Sequence, residues 1–187
     1  VYMQSIADFG PEHNTTKMVL LFSKYMKYVL DSDYSTADVK EEIYYTKIYA
    51  ELMKYRYKKL GGVIWKIDET LGEYKTLKLI LQPLIENSIY HGISLKKDTE
   101  SMIVVECASE NNFLIFSVSD NGVGMSEEKI NLITESFKNT DFLDSKHIGL
   151  KNINRRIRLA YGSGFGLKIK SKLGEGTQIK IKLPLIK

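Results

Sequence analysis

Three stretches of the chain place polar side chains or glycines where the surrounding pattern does not need them. In Ser119-Asp-Asn-Gly-Val-Gly-Met125, an acid and two glycines follow directly on the apolar run Phe113-Leu-Ile-Phe-Ser-Val118. A carboxylate at a strand end accepts hydrogen bonds from an exocyclic amine, and glycines let the backbone approach a planar ring with no Cβ in the way. Asp120, Gly122 and Gly124 therefore have the chemistry to hold something flat and polar. The same residues do not make a calcium loop, because the positions after Asp120 lack the alternating oxygen ligands and the closing Glu. They do not make a dinucleotide fingerprint either, since Glu127 stands where the third glycine would be.

The second stretch is Leu81-Gln-Pro-Leu-Ile-Glu-Asn-Ser-Ile-Tyr-His-Gly92. Asn87 and His91 are four apart and share a helix face, while Leu84, Ile85 and Ile89 can take the buried side. Asparagine is a poor helix former and needs a reason to be there. Its amide oxygen suits magnesium, which keeps several waters and draws other ligands from substrate phosphates; a polar face meeting water is the plainer alternative. Glu86, about 100° around the helix from Asn87, could orient a nucleophile or hold a partner. In the third stretch, His147-Ile-Gly-Leu-Lys-Asn-Ile-Asn-Arg-Arg-Ile-Arg158, Gly149 at a helix start exposes backbone N–H groups that can seat phosphate. Lys151, Arg155, Arg156 and Arg158 add cations on more than one face, which a solvated basic helix would also do.

The elements that must position these groups follow from periodicity. The chain divides near Gly61-Gly62, with helical patterns before and mostly strands after. Asn14, Thr15 and Thr16 offer an N-cap for a helix bearing Met18, Phe22, Tyr25 and Val29. A second helix is expected from Thr36 to Asp38 onward, with Glu41 completing a capping box and Ile43, Thr46, Ala50, Met53 and Tyr57 on one stripe. This hairpin should pack on a partner helix or a second copy. Val63 to Asp68 reads as a strand, and Leu77 to His91 as a helix stopped by Gly92 at its C′ position. Met102 to Ala108 and Phe113 to Ser119 are strands joined by Ser109 to Asn112. Ser126 caps a helix with Glu127 and Glu128 in its first turn. Thr134 to His147 lacks an apolar period and reads as a mobile loop. Gly149 to Tyr161 is helical, and Gly166 to Lys172 with Thr177 to Leu183 form a hairpin. The sum is an α+β fold, with a mixed, mostly antiparallel sheet carrying helices on one face.

Composition narrows the class. The 187 residues are 43% hydrophobic and 27% charged, as in soluble globular proteins. No apolar run approaches the roughly 20 residues of a bilayer span, and no leader pattern opens the sequence, so the chain is expected to be cytoplasmic. The one cysteine, Cys107, excludes a disulfide framework and a Cys/His zinc site. A net charge of +4 is mild, and Lys168, Lys170, Lys172, Lys180 and Lys182 alternate along strands as on a solvated sheet face, which argues against nucleic-acid binding.

Taken in order, Asn87, Asp120-Asn-Gly-Val-Gly124, Gly149-Leu-Lys-Asn152 with Arg156, and Gly174-Glu-Gly-Thr177 resemble the boxes of the Bergerat ATP-binding fold shared by gyrase, Hsp90, histidine kinases and MutL. The form of Leu81 to Gly92 is similar to the LytS/YesM class of bacterial sensor histidine kinases, and the resemblance extends over the helical arm with Tyr55-Arg56-Tyr57. It implies a two-layer α/β sandwich at 62–187 that binds ATP and Mg2+, preceded by a helical hairpin at 1–61 left from the dimerisation region. By the same resemblance Asn87 coordinates magnesium and Asp120 receives the adenine amine. Gly122, Gly124 and Met125 line the base pocket with Thr177, and Gly149, Leu150 and Asn152 close the phosphate side. The stretch 134–148 is the lid. Asn87, Glu86 and His91 are the candidate catalytic residues, and the implied activity is transfer of the γ-phosphoryl group to a histidine and on to a response regulator.

Two departures from the family pattern stand out. Tyr90 occupies the position where many histidine kinases carry a phosphate-binding Lys or Arg, which leaves His91, Lys151 or Arg156 for that contact. The phosphoacceptor motif is absent: His13 lies in a loop signal, and His91 and His147 lie in the nucleotide boxes. The expectation is a fragment that binds nucleotide without phosphorylating itself, from a homodimeric protein whose membrane parts lie elsewhere. The alternatives are an ATPase clamp, against which Pro83 stands where such enzymes need a water-activating Glu, and a degenerate module that binds ATP without transfer.

Overall fold

The computed structural model describes residues 12–31, 36–57, 60–95, 101–137 and 148–187. Helix α1 (Glu12–Leu30) begins ahead of the expected cap, so Asn14, Thr15 and Thr16 lie in its first turns and His13 is helical. It buries Met18, Tyr25 and Tyr28. The second helix is preceded by a short strand, β1 (Thr36–Asp38); α2 (Val39–Arg56) then starts at Asp38, whose N–H donates to Glu41 Oε2 at 3.2 Å, the reciprocal half of a capping box. β2 (Leu60–Ile67) follows, then a 3₁₀ turn at Glu69–Leu71 and β3 (Lys75–Leu77), which pairs antiparallel with β1 through Leu77 and Thr36.

The helix expected over Leu77–His91 is therefore shorter at its start. Leu77 belongs to β3, Leu79 adopts a left-handed φ of 59°, and α3 runs Gln82–Asn87 with a proline in its first turn. It is also longer at its end, because the coil widens into a π-helical stretch, Ser88–Ile93, that passes through Gly92. The hairpin β4 (Ser101–Glu110) and β5 (Phe113–Asp120) turns at Asn111 and Asn112, whose φ values of 50° and 63° mark a two-residue primed turn, tighter than the expected connection. Helix α4 (Glu127–Ser136) is capped by Ser126, whose Oγ accepts from Lys129 N, and takes in Thr134, Glu135 and Ser136. Phe137 caps its end and Ile148 opens the next helix, while residues 138–147 of the expected lid, His147 among them, lie outside the described residues. Helix α5 (Ile148–Tyr161) and the hairpin β6 (Gly166–Lys172) and β7 (Gly176–Pro184) complete the chain.

Among the described residues one sheet has the order β2-β4-β5-β7-β6, with β2 parallel to β4 and all other pairs antiparallel. Alternation sends Ile103, Val105, Cys107, Leu114, Phe116, Val118, Ile179, Ile181 and Leu183 to one buried face. Leu84, Ile85 and Ile89 of the α3 coil and Leu150, Ile153 and Ile157 of α5 join that core. So do Val39, Ile43, Tyr49 and Met53 of α2, so the arm's inner stripe is covered by its own chain. The other sheet face exposes Lys168, Lys170 and Lys172 and half-buries Lys180 and Lys182, as a solvated face should.

Cys107 sits mid-sheet, across from Ile67 and Phe116. Burial, reinforced by the carboxylates of Asp68 and Glu69, pushes its thiol up to about 12. Because the folded value is raised, the buried thiol keeps its proton where the unfolded chain loses it near about 8.5; its contribution to stability is full below that value and is lost as pH rises toward about 12. Alkylation of the native protein at about pH 8 is expected to run at least about a hundredfold slower than in denaturant, which mass spectrometry of the iodoacetamide-treated chain checks.

Candidate functional site

The strand alternation that builds the core also aims Asp120. Counting back by twos, Val118, Phe116 and Leu114 face the helices, so the Asp120 carboxylate extends that face as its polar end, with Thr177 opposite it in β7. Asp120 is buried, more deeply than a residue at a strand mouth need be. Its Oδ1 accepts from Gly122 N at 2.9 Å.

The loop after β5 is clamped from two sides. Val123 N donates to the Gly92 carbonyl at 3.2 Å, tying it to the end of the π-helical coil. A Cβ on Gly122 would stand 2.4 Å from the Gly92 carbonyl carbon, and a Cβ on Gly92 would stand 2.7 Å from Asp120 Oδ1. Gly92 is therefore required for close approach to the acid, and not as a helix stop. On the far side, Gly124 has φ +66° and a Cβ there would meet the Lys172 carbonyl oxygen at 1.9 Å. Gly174 N donates to Val123 O at 2.8 Å, and Met125 N to Ser171 Oγ at 2.8 Å. Ser171 Oγ lies 2.9 Å from Thr177 Oγ1. Asp120, Gly122, Gly124, Met125 and Thr177 are thus brought together as one wall, with Gly92 as an unforeseen member.

Asn87 is buried at the point where α3 passes into the π-helical coil. Such widenings often occur at functional sites, and here the π geometry brings the Ser94 N–H to the Ile89 carbonyl at 2.9 Å. His91 is half-buried on the same coil, and the exposed Tyr90 stands edge-on to Tyr57 with centroids 5.5 Å apart. Gly149 opens α5 beside Pro83, 3.7 Å from a Cβ placed on the glycine. Leu150 is buried in the core and Asn152 is exposed. Arg156 donates to the Lys78 carbonyl at 2.6 Å, in the turn that leads into α3.

The sequence reading missed Glu42. From α2 it enters the turn ahead of α3 and is fully buried. It accepts from the backbone N–H of Leu79, Ile80 and Leu81 at 2.8, 2.8 and 3.0 Å, and from Tyr28 OH at 2.8 Å. Burial raises its carboxyl from the ordinary value against the pull of these four donors. The left-handed Leu79 costs about 1–2 kcal/mol by itself, and the carboxylate holds it there. Glu86 also faces the arm, accepting from Tyr49 OH at 2.9 Å and from Gln82 Nε2 at 2.7 Å, while Tyr25 OH bonds Gln82 Oε1. The spacing of Glu42, Thr46, Tyr49 and Met53 on the buried side of α2 was the available signal.

A two-layer α+β sandwich with a buried acid and glycine-lined turns at one end of its covered face defines the class: the Bergerat type of ATP-binding fold. The catalytic domain of the histidine kinase ThkA, in a nucleotide-free form, superposes with a TM-score of 0.59 at 16% identity, over 82% of this chain and 97% of that one. The histidine kinase domain of a blue-light activated kinase from Erythrobacter litoralis gives 0.54 at 15% identity, over 98% and 80%. The model for histidine kinase-, DNA gyrase B- and HSP90-like ATPases matches residues 72–187, and a histidine kinase model matches residues 2–60. The chain belongs to the family of histidine kinase-, DNA gyrase B- and HSP90-like ATPases. It is 33% identical over 169 residues to the sensor protein kinase HptS of Staphylococcus aureus, covering 90% of this chain. It spans about a third of that relative's length (32%).

Gly122→Ala is expected to displace the loop from Gly92 and weaken ATP about fivefold or more, since an overpacked contact of this kind costs about 1–3 kcal/mol. Gly62→Ala, whose Cβ would meet nothing within 4 Å, should leave binding unchanged. Parallel calorimetric titrations of the two variants check the pair.

Proposed function

We propose that the chain is the ATP-binding portion of a two-component sensor histidine kinase, with 1–61 as its helical arm and 62–187 as its catalytic segment. The observation that carries this reading is the Asp120 carboxylate at the end of the helix-covered face, walled by Gly92 and Gly122, in a chain of this ATPase family. Asp120 accepts the adenine amine, and Gly122, Gly124, Met125 and Thr177 shape the base pocket. Gly149, Leu150 and Asn152 form the phosphate side, where His91 and the donors of Arg156 not spent on Lys78 supply hydrogen bonds.

Asn87 is the magnesium ligand. The donor fits this ion: Asn87 offers a neutral amide oxygen, buried at the end of α3, and magnesium takes few protein ligands when phosphates and waters supply the rest. When bound, the ion neutralises charge on the β- and γ-phosphates. The acceptor of the γ-phosphoryl group is a histidine other than His13, His91 and His147, and the group then passes to an aspartate of a response regulator. Glu86, engaged with Tyr49 and Gln82, serves this reaction by holding α3 against the arm. Pro83 offers no base for water attack, which favours transfer to protein over hydrolysis. In the full-length protein we place this portion on the cytoplasmic side of a membrane-anchored homodimer.

Asp120→Asn keeps an oxygen for Gly122 N but loses the second acceptor, and should weaken ATP at least about tenfold with little change in the denaturation midpoint. Equal affinity for the variant would falsify the adenine assignment. Asn87→Ala should abolish the gain in ATP affinity on adding magnesium; calorimetry with and without the ion decides it, and an undiminished gain would rule out the ligand role.

A further inference from the structure

Glu42, Tyr28 and the left-handed Leu79 take no part in the site as assigned above. We propose that Glu42 is a positioning residue for ATP binding: by capping the turn at 79–81 from the arm, it sets where the helix bearing Asn87 begins. Nucleotide affinity then depends on how α2 is seated. The inference rests on the ATP reading just given.

Leu81, the residue at the N-cap of α3, makes no capping bond with its side chain. Buried peptide N–H groups need an acceptor, and those of Leu79, Ile80 and Leu81, in the turn that ends at the N-cap, find theirs in a carboxyl group that is 37 to 39 residues earlier in the chain. The turn that leads into this helix is therefore held from the arm. A turn containing a left-handed leucine does not hold itself, since that conformation is open chiefly to glycine. The clasp is also braced from outside: Lys78 Nζ, 4.5 Å from the centroid of the Tyr28 ring, donates to the Asp31 carbonyl at 2.7 Å, and Arg156 grips the Lys78 carbonyl from α5.

Only the short span Gln82–Asn87 separates this turn from the magnesium ligand. Tyr25 on Gln82 and Tyr49 on Glu86 tie the same span to the arm along its length. A displacement at Glu42 is thus passed to Asn87 with little to absorb it, and misplacing a binding group by 1 Å can cost orders of magnitude in function. Coupling of this kind is reciprocal: if the arm helps ATP to bind, ATP must steady the arm's grip.

The test is magnesium-ATP titration and amide hydrogen exchange on the chain as it stands, comparing the parent protein with Glu42→Gln, Tyr28→Phe, Asp120→Asn and the double variant Glu42→Gln/Leu79→Gly. Glu42→Gln, judged folded by circular dichroism and by continued protection of Cys107 from alkylation, should bind ATP about tenfold more weakly. ATP should slow exchange at Leu79, Ile80 and Leu81 in the parent, and the slowing should vanish in Glu42→Gln. Glycine at 79 adopts the turn without help, so the double variant should recover most of the affinity. A loss of stability alone would produce neither the rescue nor the change in ATP-dependent exchange. A folded Glu42→Gln with parental affinity, or parent protein whose exchange at 79–81 ignores ATP, overturns the proposal. Should Glu42→Gln not fold, Tyr28→Phe removes one of the four bonds and should weaken ATP about threefold; unchanged affinity there also overturns it. If the parent itself does not bind ATP, the functional reading fails and this inference falls with it. If the parent binds, Asp120→Asn does not and Glu42→Gln is unaffected, only the positioning role fails.

Discussion

A carboxylate without water is the constraint around which the two halves of this chain meet. Glu42 is taken out of solvent by the packing of α2 on the sheet core, and burial of a charged group is unfavourable by several kcal/mol unless its oxygens are bonded. Three of its donors are peptide N–H groups of a turn whose acceptor is this acid, so each side supplies what the other lacks. Removing the acid would orphan backbone donors at about 1–3 kcal/mol each, and removing the turn would strand the acid. Helical arm and sandwich accordingly form one continuous core, although distinct family models match 2–60 and 72–187.

From that junction the geometry runs outward in a short series. The turn sets the start of α3, α3 presents Asn87, and the π-helical coil carries the chain to Gly92, which touches the Asp120 carboxylate and the loop beyond it. The β6–β7 hairpin closes the opposite side through Lys172, Gly174 and Ser171. The site is a ring of backbone contacts with few side chains in it, which is why glycines dominate its sequence.

Much of the sheet was legible because alternation is a local property: Phe113 to Asp120 and Thr177 to Leu183 carry it plainly, and its continuation places the acid. The error at Leu77 arose because Leu77, Ile80, Leu81 and Leu84 have helical spacing, whereas the pairing of Leu77 with Thr36 is a long-range contact that no local pattern records. The π-helical widening had no signature, since it follows from how the coil must reach Asp120. Glu42 was hidden in Lys40-Glu41-Glu42, a run of charges that reads as a solvated face. Thr46, one turn on, was visible on the expected stripe, but the turn that requires Glu42 lies in another part of the chain.

The two margins of the sheet have a bearing on how the protein keeps company. β6, at one margin, carries Lys168, Lys170 and Lys172, and β2, at the other, is broken by a bulge between Leu60 and Gly62. Cationic side chains and bulges are the devices by which natural sheets discourage a further strand from joining. Stacking of copies margin to margin is thereby opposed in the native fold.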